Sequence, residues 1–429
     1  MRVLVLGASG FIGSAVTARL AADGHSVVAA SRGRGRVGLA TVERLHLDVS
    51  RATAIGDWLT PLRGIDAVVN CAGTLQDAPG NSTYGVHVAG IAALYEACER
   101  VGILRVVHVS AVGVDKETPS AFSRTKRTAE EDLRSRDLDW VILRPSVVIG
   151  RSAYGGSALL RGLAALPVVP IMPDAGELQL VHLDDLVATI VFFLQPQAPS
   201  RKAFDVVGPR RWPFEDVVRL FRRWLRHPSA REFAAPSWAF SLLYRAGDAV
   251  SLLGWRPPIR STAQAEIRRG AVGSSAEWTE ATGIRPRDIE KELARDPASV
   301  QERWFASLYA LKPLVFGVFA LFWIATGLIS LGPGWEIGTS LVREGGLDET
   351  TAALAVVAGA LADIVIGLAI LYRPTSRYGL YAGLAISVTY AIVGTILVPR
   401  LWSDPLGPML KIWPIMVFNL VALAILEDR

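Results

Sequence analysis

Three glycines near the start of the chain stand at a spacing that grips phosphate. The run Val3-Leu-Val-Leu-Gly7-Ala-Ser9-Gly10-Phe11-Ile12-Gly13 sets G-x-x-G-x-x-G between a β-branched segment and a helical pattern. Gly7 allows a tight turn, Gly10 lets backbone approach a pyrophosphate, and Gly13 lets the helix pack close to the strand. Free N–H groups and the positive end of that helix then hold the phosphates, with Ser9, Phe11 and Ile12 completing the turn. A bound dinucleotide is expected. The second apolar run, Ser26–Ala30, ends in Ser31-Arg32-Gly-Arg34-Gly-Arg36. An NAD site places a carboxylate here for the ribose 2′-hydroxyl, whereas arginine accommodates a 2′-phosphate. With arginines and no acid, NADP(H) is expected ahead of NAD(H).

Further stretches follow in order. They are His46-Leu-Asp48-Val49, Asn70-Cys71-Ala72-Gly73, Val109-Ser110-Ala111, Leu143-Arg-Pro145-Ser-Val147-Val148-Ile-Gly150 and Val181-His-Leu-Asp184-Asp185. With the glycine turn, they resemble the extended or atypical short-chain dehydrogenases/reductases over about residues 1–210. The resemblance implies Asp48 as acceptor for the adenine amino group, with Val49 beside it. It implies Cys71, Ala72 and Gly73 beside the adenine ribose, and Pro145, Val147 and Val148 along the nicotinamide. Ser110 stands where the family carries its catalytic Ser or Thr.

One position departs from the family. Its reductases carry Tyr-x-x-x-Lys, in which Tyr moves a proton and Lys lowers the Tyr pKa and holds the nicotinamide ribose. Here the stretch is Phe122-Ser-Arg-Thr-Lys126. Phenylalanine has no proton to give, while Lys126 can still hold the ribose and Ser110 can still donate a hydrogen bond. Three consequences compete. Tyr84, Tyr154, His87 or a water supplies the proton; the protein binds NADP(H) without turnover; or hydride passes to an acceptor that needs no strong acid. The layout of Ser120–Glu130 is similar to that of the NADPH-binding accessory subunit of mitochondrial complex I.

Other chemistries are excluded. Six scattered histidines lack metal-ligand spacing, and no Gly-x-Ser-x-Gly elbow is present. Cys71 and Cys98 are too few for a disulfide framework and read as buried thiols in a reducing compartment. The net charge of +5 comes without a nucleic-acid-binding signature, so no nucleic-acid partner is expected.

The elements that must position these residues fall into three stretches. Residues 1–209 alternate short apolar runs with helical segments, which predicts an α/β, doubly wound parallel sheet of the Rossmann type. Strands are expected at Val3–Leu6, Ser26–Ala30, Glu43–Leu47, Ala67–Asn70, Arg105–Ser110, Trp140–Leu143, Leu178–His182 and Ala203–Val207, and helices from Gly10, Ala52, Thr83, Phe122 and Asp184. Residues 210–304 form a small mixed cap region. Between Pro209 and Arg260 it holds ten Arg against four acids, with Trp212, Trp224, Trp238 and Trp255 interleaved. That composition suits a segment on anionic headgroups, or a cap with a solvated basic face.

Residues 305–429 predict an all-α domain of four membrane spans near 313–331, 350–372, 378–399 and 406–426. The span pattern resembles the DoxX-like family, which implies quinone- or thiol-linked redox surroundings. Asp363 lies in mid-span, where a carboxylate is costly. It reads as a functional group or as half of an interhelical hydrogen bond with Asn419. Gly317, Gly359 and Gly367 are expected at close helix contacts. The opening residues are no secretory signal, and Arg373 and Arg377 in one short turn place that turn, both termini and the first domain in the cytoplasm, at the inner membrane. Two functions follow: a membrane-anchored NADP(H)-dependent reductase of a lipophilic or quinone-type acceptor, or a non-catalytic NADPH-binding accessory or sensor with a membrane-protein partner.

Overall fold

A computed structural model describes residues 1–33, 42–172, 174–234 and 236–427. They divide into two compact units, Met1–Ala249 with Pro257–Ser307, and Val250–Arg256 with Leu308–Arg429. Residues 210–249 and 257–304 therefore belong to the same unit as the sheet.

The first unit begins with β1 (Arg2–Leu6), α1 (Phe11–Ala22), β2 (Ser26–Ser31), β3 (Val42–His46), α2 (Gly56–Leu59), β4 (Ala67–Asn70), α3 (Gly90–Val101), β5 (Arg105–Val109), α4 (Ala121–Arg134) and β6 (Asp139–Pro145). It continues with β7 (Val147–Ile149), α5 (Gly155–Ala165), β8 (Val168–Ile171), β9 (Leu178–His182), α6 (Leu183–Phe193) and β10 (Lys202–Val206). The seven-stranded sheet runs β10-β6-β5-β4-β1-β2-β3, and every pairing in it is parallel. Its central strands are unbroken apolar runs because both faces are covered. Leu4, Leu6 and Val68 face α2 and α3 through Trp58, Leu94 and Tyr95. Val3, Val5 and Val69 face α1 and α6 through Val16, Leu20, Ile190 and Phe193. The order reverses between β1 and β4, and at such a switch point the loops after the two strands diverge and leave a crevice.

The expected strands all form, but Leu178–His182 pairs outside the main sheet. It lies parallel to β7 and antiparallel to β11 (Arg211–Trp212). The unit is completed by α7 (Phe214–Trp224), β12 (Arg231–Ala234), α8 (Ser237–Leu252) as far as Ala249, α9 (Ser261–Arg269), α10 (Ala276–Thr282) and α11 (Ile289–Arg295). α10 brings Trp278 into the core under α6, where its indole N–H donates to Thr189 Oγ1 at 2.9 Å.

The second unit holds α12 (Val300–Leu331) from Leu308 on, α13 (Trp335–Glu344), α14 (Glu349–Leu371), α15 (Ser376–Leu397) and α16 (Ile412–Ile425). α12, α14 and α15 are long and apolar enough to cross a membrane. The expected fourth span is shorter than the sequence suggested. Pro405, Gly407 at φ +58° and Pro408 break the backbone, so α16 has 14 residues, a rise of about 21 Å against about 30 Å of hydrocarbon. α12 is longer than its uncharged run and carries Pro313 inside it. The Asp363 pairing is also corrected. Its Oδ1 accepts from the Tyr390 hydroxyl at 2.9 Å, while Asn419 faces the backbone of Leu380 and Leu384. Gly317 meets open space. Close helix contacts fall at Gly359, where a Cβ would lie 3.1 Å from the Tyr390 hydroxyl, at Gly367, where it would lie 2.7 Å from Ala320 O, and at Gly327, where it would lie 2.4 Å from Ala360 O.

Within the first unit, α4 is fixed at both ends. Ser120 and Ser123 form a capping box at its start. Near its end, buried Glu130 accepts from Arg144 of β6 at 2.5 and 2.9 Å, and Arg144 also reaches Asp115 at 2.6 Å. Glu130→Ala should cost about 1.5–3 kcal/mol, because it takes the buried carboxylate from a guanidinium that keeps only the partly exposed Asp115. The measurement is the thermal midpoint of the full chain in detergent. The double change Glu130→Met, Arg144→Met should recover most of the loss.

Candidate functional site

The glycine turn lies at the switch point. Gly7 has φ +70°, and a Cβ there would sit 2.7 Å from Cys71 O. At Gly13 a Cβ would sit 2.2 Å from Gly7 O, so only glycine lets α1 start this close to β1. α1 begins at Gly10 with no side-chain cap and no acid in its first turn. Its leading N–H groups and dipole therefore face the crevice with no carboxylate from the helix's own first turn, which fits a diphosphate. Ser9 is exposed at the tip, Ile12 packs down on the core, and Phe11 stacks on Tyr154 with centroids 5.8 Å apart.

On one side of this cradle lie the ends of β2 and β3. The Arg32 guanidinium donates to Asn81 Oδ1 at 2.8 Å, and the Asn81 amide donates to Thr74 Oγ1 at 2.6 Å. Arg34 and Arg36 lie outside the described residues. Asp48 Oδ1 accepts from Ser50 N and Oγ, and Val49 is pressed against α3, where a Cβ at Gly90 would fall 1.9 Å from Val49 O. An open cleft of about 430 Å³ adjoins, bounded by Ser50, Arg51, Asp77, Gly80, Asn81 and Ser82.

On the other side lie the ends of β4, β5 and β6. The Lys126 ammonium is buried and donates to Val109 O at 2.7 Å, one residue before Ser110. Ser110 Oγ is buried, and among the described residues it makes no hydrogen bond. A Cβ at Gly73 would lie 3.6 Å from Lys126 Nζ and 3.5 Å from His87 Nε2, so the missing side chain keeps space beside the ammonium. Ala72 N–H donates to Asn70 Oδ1, fixing the strand end. Pro145 closes β6, and Val147 and Val148 are half-buried along β7. Burial pushes Lys126 down to about 8, with Cys71 and Glu130 pulling it back up. Burial also pushes the Cys71 and Cys98 thiols up to about 12, so neither is a thiolate near neutrality.

The candidates for the missing proton donor separate. Tyr84 is 62% exposed, and Tyr154 stacks on the glycine turn. His87 is buried with both ring nitrogens engaged. Nε2 accepts from Thr74 N–H at 3.0 Å, which leaves Nδ1–H to donate to Thr125 Oγ1 at 2.8 Å. Burial first, then the Lys126 charge and His108, hold His87 well below the usual imidazole range. It is a neutral pin for the 74 loop, and Phe122 lies edge-on to its ring. Sequence reasoning missed Asn81, Thr74, Thr125 and the Glu130–Arg144 pair. Only the Ser-x-x-Ser cap at Ser120 left a local signal for any of this framework.

Residues 7–161 match the NAD(P)H-binding family model, and residues 320–420 match the DoxX-like family. The match spans 23% of the length of the mycobacterial relatives found first. The chain is 26% identical to the ceramide reductase of Caulobacter vibrioides over 44% of this chain and 60% of that protein. It is 24% identical to the mitochondrial NADH-ubiquinone oxidoreductase 40 kDa subunit of Neurospora crassa, over 66% and 76%. The Bacillus cereus UDP-glucuronic acid 4-epimerase, solved with UDP-glucuronic acid and NAD, shares the fold at TM-score 0.54 and 16% identity, over 72% of this chain and 99% of that one. The chain thus joins an NAD(P)-binding, Rossmann-like domain, similar to the short-chain dehydrogenases/reductases, to a DoxX-like helical region.

Proposed function

We propose that the protein is a membrane-anchored, NADP(H)-dependent oxidoreductase acting on a lipophilic carbonyl or quinone-type acceptor. The observation that carries this reading is the Ser110–Lys126 pair, with an unspent hydroxyl beside an anchored ammonium. A reduced nicotinamide, when bound, supplies hydride. Gly7, Ser9, Gly10, Phe11, Ile12 and Gly13 would hold the diphosphate, and Asp48, Val49, Cys71, Ala72 and Gly73 the adenosine half. Lys126 would hold the nicotinamide ribose, against a wall of Pro145, Val147 and Val148. Ser110 Oγ–H donates to the acceptor oxygen. Phe122 closes the place of the proton donor with a hydrocarbon ring, so the proton that completes the product comes from solvent. This favours acceptors that take hydride to give a stabilised anion, as a quinone does in forming the hydroquinone monoanion that solvent then protonates, over ordinary ketones.

Three observations support the wider setting. The ceramide reductase relative is named for a lipid substrate. Three helices can cross a bilayer. Arg373 in the turn between α14 and α15 and Arg377 in the first turn of α15 support the inner membrane with the dinucleotide domain in the cytoplasm. The second reading, a non-catalytic NADPH-binding accessory protein with a membrane-protein partner, draws on Phe122, on the engaged nitrogens of His87 and on the likeness to the 40 kDa subunit.

Turnover separates the two readings. Full chain in lipid, with NADPH followed at the nicotinamide absorbance, should show oxidation that depends on added quinone or hydrophobic ketone. Lys126→Met should lower it at least about tenfold through lost orientation of the ribose. Dinucleotide binding with no acceptor-dependent decay across the panel would favour the accessory reading. Arg32→Glu should raise the Kd for NADPH at least about tenfold and leave that for NADH unchanged or lower, read by equilibrium binding. Equal changes for both would remove Arg32 from 2′-phosphate recognition.

A further inference from the structure

Helix α8 has two unlike faces. One face is packed. The Tyr244 hydroxyl donates to Met172 Sδ at 3.3 Å, a Cβ at Gly247 would fall 1.8 Å from Ile259 O, and Asp248 accepts from Arg260 Nε at 3.0 Å. The other face is hydrocarbon in the open. Trp238, Leu242, Leu243, Val250 and Leu252 are 42–75% exposed, with Ala246 and Ala249 also exposed between them. At 100° per residue these side chains form one continuous arc, and Arg245 is its sole charge. An arc of this size has to be covered by something.

We infer that α8 is an interfacial helix, seated in the bilayer surface with this arc at the boundary of headgroups and acyl chains. Chain continuity with the membrane-crossing unit points to lipid as the occupant. Val250–Arg256, which holds the last turn of α8, belongs to that unit. There the Trp255 indole N–H donates to Leu371 O at 2.7 Å, its ring packs on Phe316, and the Arg373 guanidinium lies over it at 5.5 Å. Arg373 N–H donates to Leu253 O at 2.9 Å. Leu371 and Arg373 mark the turn between two crossing helices, which is the level of the headgroups. The chain thus leaves α8 already at the membrane surface. The residue types agree: a large apolar face with Trp238 near its start, and Arg231 and Arg245 to meet lipid phosphate.

The packed face gives the arrangement a use, which rests on the reductase reading. Phe240 and Tyr244 line a small cavity with Met172, Gln264 and Ile267. The neighbouring helix α9 reaches the start of α4, where Ser120 Oγ donates to Glu266 at 2.5 Å, two residues before Phe122. A lipophilic acceptor leaving the bilayer would pass this wall. The seating of α8 stands without that use and is tested without turnover.

The test is depth quenching. Leu242→Cys, labelled with a small fluorophore in the full chain, is reconstituted into vesicles of phosphatidylcholine and phosphatidylglycerol. Because Leu242 is exposed, the change should not disturb folding. A spin label near the top of the acyl chain should quench the fluorophore by about half, and more than a label at the chain terminus does. Lys202→Cys on the first unit should be unaffected, and Leu321→Cys on α12 should be quenched from within the bilayer. No quenching at position 242 by lipid labels would overturn the inference. Protection of position 242 together with self-quenching that grows with protein density would also overturn it, by assigning the arc to a second copy of the chain.

Discussion

The close approach of Gly13 to the Gly7 carbonyl is the constraint on which the dinucleotide cradle depends. A single added methyl group at Gly13 would have to occupy space 2.2 Å from that oxygen. The turn in turn presses on Cys71, so β1, α1 and the end of β4 are fixed together. Everything that would bind phosphate depends on this, because the leading N–H groups of α1 are useful only if the helix starts at the sheet edge. The parallel order of the strands does the rest by bringing the ends of β2, β4, β5 and β6 to the same rim.

At that rim the electrostatics are arranged for an anion. Among the described residues, Lys126 is buried with no carboxylate in hydrogen-bonding contact and leans on a backbone carbonyl instead. Such a charge costs desolvation energy that a bound phosphate-bearing ligand would offset. Glu130, one turn further along α4, is spent on Arg144, so the helix is anchored without neutralising the ammonium. Phe122 then separates cofactor binding from proton transfer. The residues proposed for the first are in place, and on the proposed reading the second is passed to the solvent or is absent.

Much of this was legible because it is local. The glycine turn, the β-branched runs and Phe122-x-x-x-Lys126 are short patterns whose spacing dictates geometry. The elements β4 and β9 fall on the expected residues, Ala67–Asn70 and Leu178–His182. What the sequence hid depends on contacts between distant segments. Arg32 reads as a free phosphate ligand until Asn81, 49 residues on, is seen to hold it. His87 reads as a spare acid until Thr74 and Thr125 take its nitrogens. Asp363 finds Tyr390, a partner no spacing rule selects. The shortened α16 was hidden differently: hydropathy summed over Pro405, Gly407 and Pro408 ignores that these residues break a helix.

The most direct test of the account is titration calorimetry of the full chain in detergent with NADPH across a range of pH. A single site is predicted, with affinity falling as pH rises through about 8, where the buried Lys126 ammonium loses its proton and its attraction for an anionic ligand. Absence of binding heat from NADPH and NADH at every pH would contradict it.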